Sequence, residues 1–175
     1  MKAQNNETSL PYQEIPDYPE TYTAGAVVAR MIDGLGFRFY WATEGLIDTD
    51  LAYQPSEDSR STYQTIEHIY ALSNTILNAA LRKENQIFNT SDLDYKTLRS
   101  RTLINLKTAA DILRETSDLT NHNLKFSNRE MPFWFNINGP ISDAIWHSGQ
   151  IASFRRASGN PINSNLSFFT GKINN

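Results

Sequence analysis

The chain has 175 residues, 39% of them apolar and 11% aromatic, which is enough for one folded domain with a substantial core and too apolar for a disordered protein. Its 16 basic and 19 acidic residues are spread along the sequence, and a net charge of −3 excludes the basic footprint of a nucleic-acid binder. Cysteine is absent, which excludes disulfides, thiolate metal sites and a cysteine nucleophile; any thiol chemistry must use a thiol brought in by a substrate.

The stretch Met1-Lys2-Ala3-Gln4-Asn5-Asn6-Glu7 is polar and lacks the apolar core of a signal peptide. No run approaches the roughly 18 apolar residues of a membrane span. These features predict a cytoplasmic protein with no membrane partner. Residues 1–20 hold Pro11, Pro16 and Pro19 among tyrosines and acidic residues, and read as an extended arm. Leu10, Tyr12, Ile15 and Tyr18 would lie along the body of the domain.

From about Thr21 to Ile47 the apolar residues Val27, Met31, Leu35 and Tyr40, with Val28, Ile32, Phe39 and Leu46, recur at threes and fours and predict a first helix. Gly25, Gly34, Gly36 and Gly45 weaken it and mark close helix approach or a kink. The run Phe37-Arg38-Phe39-Tyr40-Trp41 belongs in the core. Residues 48–58 carry Asp48, Asp50, Gln54, Pro55 and Ser56 and read as a loop. Ser59 or Ser61 then caps a second helix that runs to about Ile87 or Phe88. Its buried face is Ile66, Ile69, Leu72, Ile76, Leu77, Ala80 and Leu81, with His68 at the edge of that face and Glu67 solvated.

A third helix follows over about Tyr95–Thr116, buried through Leu98, Leu103, Leu106, Ala109, Ala110 and Leu113. Residues 117–137 are irregular, and Met131-Pro132-Phe133-Trp134-Phe135 reads as a short strand or turn packing aromatics under the next helix. His122 lies in a polar loop and receives no role. Gly139-Pro140 reads as a stop and then the first turn of a fourth helix, Pro140–Ser158. Arg155-Arg156 favours the negative end of that helix's dipole, Gly159 is a C-cap and Pro161 ends the element. The tail, residues 162–175, is rich in Asn and Ser, with one apolar island at residues 166–169.

Four amphipathic helices with few strand signals predict an all-α protein, an up-and-down four-helix bundle with room for one longer crossover. On the fourth helix Asp143 and His147 are four residues apart, about 40° on a helical wheel, at the margin of the apolar stripe Ile141, Ala144, Ile145, Ile151 and Ala152. Gln150 lies on the same side, whereas Trp146 points about 100° away and suits packing or an interface. Bundles build metal sites from residues on facing helices, so His68 could meet Asp143 and His147.

Thr65-Ile66-Glu67-His68-Ile69, the run Asp143-Ala144-Ile145-Trp146-His147-Ser148-Gly149-Gln150-Ile151 and the following Arg155-Arg156-Ala157-Ser158-Gly159-Asn160-Pro161 together resemble the DinB/YfiT-like family of bacterial four-helix metal-binding proteins. The resemblance covers roughly residues 21–161, between an arm at 1–20 and a tail at 162–175. That family carries one His on the second helix and a His-x-x-x-His-x-x-Gln stretch on the last. Here Asp143 stands where the first of those two histidines is usual. The resemblance implies a DinB-type bundle in which His68, Asp143 and His147 hold a divalent metal, zinc or nickel first. A carboxylate is equally a competent ligand for iron or manganese. An anionic ligand also makes water on the metal less acidic than an all-His set would. Gln150 would donate to a bound ligand or fix a metal ligand. The implied activity is thiol-dependent S-transfer or hydrolysis of a small molecule, with a low-molecular-weight thiol as co-substrate, in a homodimer. Arg155 and Arg156 could meet an anionic thiol, although helix capping already explains them. The alternative is a non-catalytic binding or stress-response protein that keeps the fold with a degraded site.

Overall fold

A computed structural model describes residues 9–86 and 89–174 of the chain. The polar stretch at residues 1–7 and the helix end expected at Ile87 or Phe88 lie outside the described residues. The long helices are α1 (Ala24–Thr43), α3 (Thr62–Ala80), α4 (Tyr95–Arg114) and α6 (Ser142–Ala157). α1 packs on α4 and α6, and α3 packs on the same two, so the four form a helical bundle around one core. Phe39, Ile32, Leu35, Ile66, Ile69, Ile76, Leu98, Leu103, Leu106 and Leu113 are fully buried there. No helix among the described residues is long and apolar enough to cross a membrane.

Hydrogen bonds fix the directions. The Tyr95 hydroxyl donates to the Thr43 carbonyl, so α4 begins where α1 ends. α3 starts at the same end: the Tyr63 hydroxyl donates to the Leu93 carbonyl at 2.6 Å, and midway down Asn105 donates to Ser73 at 3.1 Å. α3 and α4 are therefore parallel, which a tight turn cannot connect. The chain between them returns along α3, where Thr90 donates to Glu67 at 3.0 Å. Glu67 is thus half-buried and engaged rather than solvated. The order is up, down, down, up: the longer crossover that the expected up-and-down bundle left room for lies between α3 and α4.

The caps account for most helix ends. Thr23, Ser61 and Asp94 each accept from a first-turn amide, and Gln64 completes a capping box with Ser61. α1 is shorter than expected, and the loop after it holds a short helix, α2 (Asp48–Ala52), started by the Asp50 carboxylate accepting from the Ile47 amide at 3.1 Å. α3 stops at Ala80, well before Ile87. Arg82 adopts a left-handed conformation, φ 58°, and the Lys83 amide returns to the Asn78 carbonyl at 2.8 Å. That is a Schellman ending built on arginine where glycine is usual.

Two glycines of α1 are close-approach positions. A side chain at Gly25 would collide with the carbonyls of Leu113 and Thr116 at the end of α4, and one at Gly36 with the Tyr12 ring. Tyr12 and Ile15 of the arm are buried and Leu10 packs on the core, as the reading of the arm expected, but Tyr18 is exposed. Tyr12 donates to Asp33, which is fully buried and gripped bidentately by Arg114 at 3.1 and 3.2 Å. In the tail, Leu166 of β3 (Leu166–Ser167, paired with β4, Lys172–Ile173) packs on Ile15 and Phe37, and Phe169 is fully exposed.

The approach to α6 differs most from expectation. A hairpin, β1 (Leu124–Phe126) with β2 (Arg129–Met131), fills part of the irregular stretch. Helical structure then begins at α5 (Trp134–Asn136) and passes through a π-turn, Ile137–Ile141, into α6. Gly139-Pro140 does not stop the chain, because the wider turn relieves the clash between the proline ring and the carbonyl four residues back. Phe133 is buried, whereas Trp134 and Phe135 are exposed rather than packed under the helix.

Arg155 does not serve its own helix. It is buried and donates through Nη1 to the carbonyls of Trp41, Ala42 and Glu44 at 3.0, 3.2 and 2.8 Å, closing the C-terminal end of α1. Gly159, φ 92°, ends α6 as expected. Arg155→Met should therefore lower the unfolding free energy by about 3 kcal/mol in a urea titration, because three carbonyls at the end of α1 lose a buried charged donor. A change below about 1 kcal/mol would contradict this role.

His122, given no role from sequence, is buried under the end of α3. Its Nδ1 donates to the Ala79 carbonyl at 3.2 Å, and Nε2 faces Arg82 at 3.2 Å. Burial, with the Arg82 charge, pushes its pKa below the ordinary histidine value, against the hydrogen bonds that raise it. The unfolded chain therefore binds the proton more readily. This contribution is whole above about pH 6.5 and is lost as pH falls below it. In metal-free protein, Tm should fall less between pH 7 and 5 for His122→Gln than for the parent; equal slopes would show that His122 is not strained by protonation.

Candidate metal centre

α3 and α6 run antiparallel and touch along their length, which brings the edge of one apolar stripe against the edge of the other. His68 lies on α3, in the second turn after the Ser61 cap. Asp143 and His147 lie one turn apart on α6, flanking the buried Ala144 and Ser148. All three are half-buried: their backbones belong to packed helices while their side chains remain open to solvent on one side. This is the marginal placement read from the wheel.

The structure brings the three together. Their potential ligand atoms all lie within 4.8 Å of one another. His68 Nε2 is 3.0 Å from Asp143 Oδ2, and His147 Nε2 is 3.4 Å from Asp143 Oδ1. The carboxylate thus turns one oxygen to each imidazole. The two rings meet edge to face, with centroids 4.8 Å apart.

Gln150, partly buried, contacts His147. Its Oε1 is 2.6 Å from His147 Nδ1. An amide oxygen only accepts, so Nδ1 carries the proton and the Nε2 of a neutral ring presents its lone pair toward Asp143. A lone pair facing a carboxylate oxygen is unfavourable unless a cation, a proton or a metal ion, sits between them. The donor set of two imidazoles and one carboxylate suits a divalent transition metal, and the Gln150 contact is the kind of outer hydrogen bond that sets the tautomer of a metal-binding histidine. The structure places Gln150 against His147, a candidate metal ligand.

Trp146 is largely exposed and Arg155 is committed to α1, so neither joins the cluster. Sequence reasoning had no signal for Asn136, a fully buried amide on α5; an asparagine just ahead of Gly-Pro reads as loop. No family model, no curated protein and no solved structure matches this chain.

The tautomer can be read directly. In metal-free protein at about pH 8.5, the imidazole nitrogen shifts of His147 should show the proton on Nδ1 in the parent, and Gln150→Leu should move it toward Nε2, the form that free imidazole favours. An unchanged tautomer in the leucine variant would remove Gln150 from the centre.

Proposed function

We propose that this chain is a divalent-metal-dependent enzyme of the DinB/YfiT-like type, an S-transferase or hydrolase acting on small molecules. The observation that carries the reading is Asp143 shared between His68 and His147, with Gln150 fixing the outer nitrogen of His147. The sequence resemblance over residues 21–161 and the helical bundle support it. His68, Asp143 and His147 hold the ion, zinc or nickel first, and Gln150 orients His147. When bound, such an ion lowers the pKa of a coordinated water or thiol by several units and supplies a nucleophile at neutral pH. A chain without cysteine needs its nucleophile from outside, which suits a low-molecular-weight thiol as co-substrate.

A second reading has its own observation. The 3.0 Å contact between His68 and Asp143 is an adequate hydrogen bond, so the cluster would also serve as a clasp between α3 and α6 in a non-catalytic binding protein.

Calorimetric titration of chelator-stripped protein without a histidine tag separates the two. The enzyme reading predicts one equivalent of zinc or nickel bound, no binding in His147→Ala, and affinity weakened more than about tenfold in Asp143→Asn. The clasp reading predicts no stoichiometric binding and only a loss of stability in both variants.

A further inference from the structure

Asn136 is fully buried, and neither Nδ2 nor Oδ1 meets a protein donor or acceptor among the described residues. It closes α5 against α3, immediately before the π-turn. Nearly all buried side-chain amides in folded proteins find a partner, because a bare one loses its hydration for nothing. The backbone beside it is also short of a donor. Pro140 lies inside the turn and has no N–H to give, so the ladder between α5 and α6 is incomplete at this point.

What satisfies this amide must accept from Nδ2 and donate to Oδ1. A metal cation cannot accept, and an anion cannot donate. It must also be small, since Asn136 and its neighbours Ile141 and Ala144 on the following turns are all fully buried. Water is the smallest molecule that meets these requirements, and helices that carry an internal proline or a widened turn are places where water completes the backbone. We propose that Asn136 binds an internal water at the junction of α5, the π-turn and α3. The water is part of the fold: it satisfies the amide that α3 buries. The inference stands apart from the metal centre and from the activity proposed for it.

The test uses the full-length chain labelled with 15N at asparagine. Rotating-frame and laboratory-frame Overhauser spectra should show a cross-peak from the Asn136 side-chain amide protons to water, with the sign of a long-lived internal molecule. Water-17O relaxation dispersion, which counts such molecules, should lose one in Asn136→Leu. Amide protons without a water cross-peak would overturn the proposal in the parent protein alone, whether or not the leucine variant folds. An unchanged count of internal waters in a folded Asn136→Leu would overturn it equally.

Discussion

The carboxylate of Asp143 is shared by two imidazoles that approach from different helices, and the arrangement of the molecule makes that sharing possible. His68 and His147 are 79 positions apart in the chain. They meet because α3 descends from the end of the bundle at which α6 finishes. Arg155 holds that end together by binding α6 to the last carbonyls of α1, while Tyr95 and Arg99 bind α4 to the same turn of α1, at Thr43. At the other end Arg114 grips Asp33 in the core. These contacts tie α4 and α6 to α1, and α3 packs between α4 and α6, where the Asp143 oxygens lie 3.0 and 3.4 Å from the His68 and His147 imidazoles.

The electrostatics of the cluster follow from one hydrogen bond. Without Gln150, His147 could turn its proton toward Asp143, and the group would be a closed hydrogen-bonded triad with nothing left to bind. With the amide oxygen at Nδ1, the inner nitrogen of a neutral ring is a base beside an anion, a place for a proton or a metal ion. Two imidazoles and a carboxylate, each partly exposed and with ligand atoms within 4.8 Å of one another, are a donor set that could hold a cation. An aspartate in this position brings a negative charge that a histidine would not, so a divalent ion held there would carry less residual positive charge.

The sequence was most legible where a single residue type carries the local physics. Ser61, one of the two serines offered as the cap, starts α3 as its hydroxyl chemistry allows, and Gly159 takes the left-handed turn that ends α6. The edge positions of His68 and His147 followed from helical period alone. What escaped reading depends on tertiary partners. Arg82 ends α3 in a conformation suited to glycine, supported by His122 from a loop 40 residues away. Pro140 sits inside a helix because one turn widens around it. Arg155, whose position suggests service to its own dipole, is taken by α1. The parallel run of α3 and α4 left no mark in either helix, only in the length of the segment between them.

The measurement that bears most directly on this account is X-ray absorption at the metal edge of protein loaded with one equivalent of zinc. The account predicts a single site with two imidazole nitrogens and a carboxylate oxygen at about 2.0–2.2 Å. That signature should vanish when His68 and His147 are both replaced by alanine. A first shell of water oxygens alone, or an imidazole signature that survives the double replacement, would contradict it.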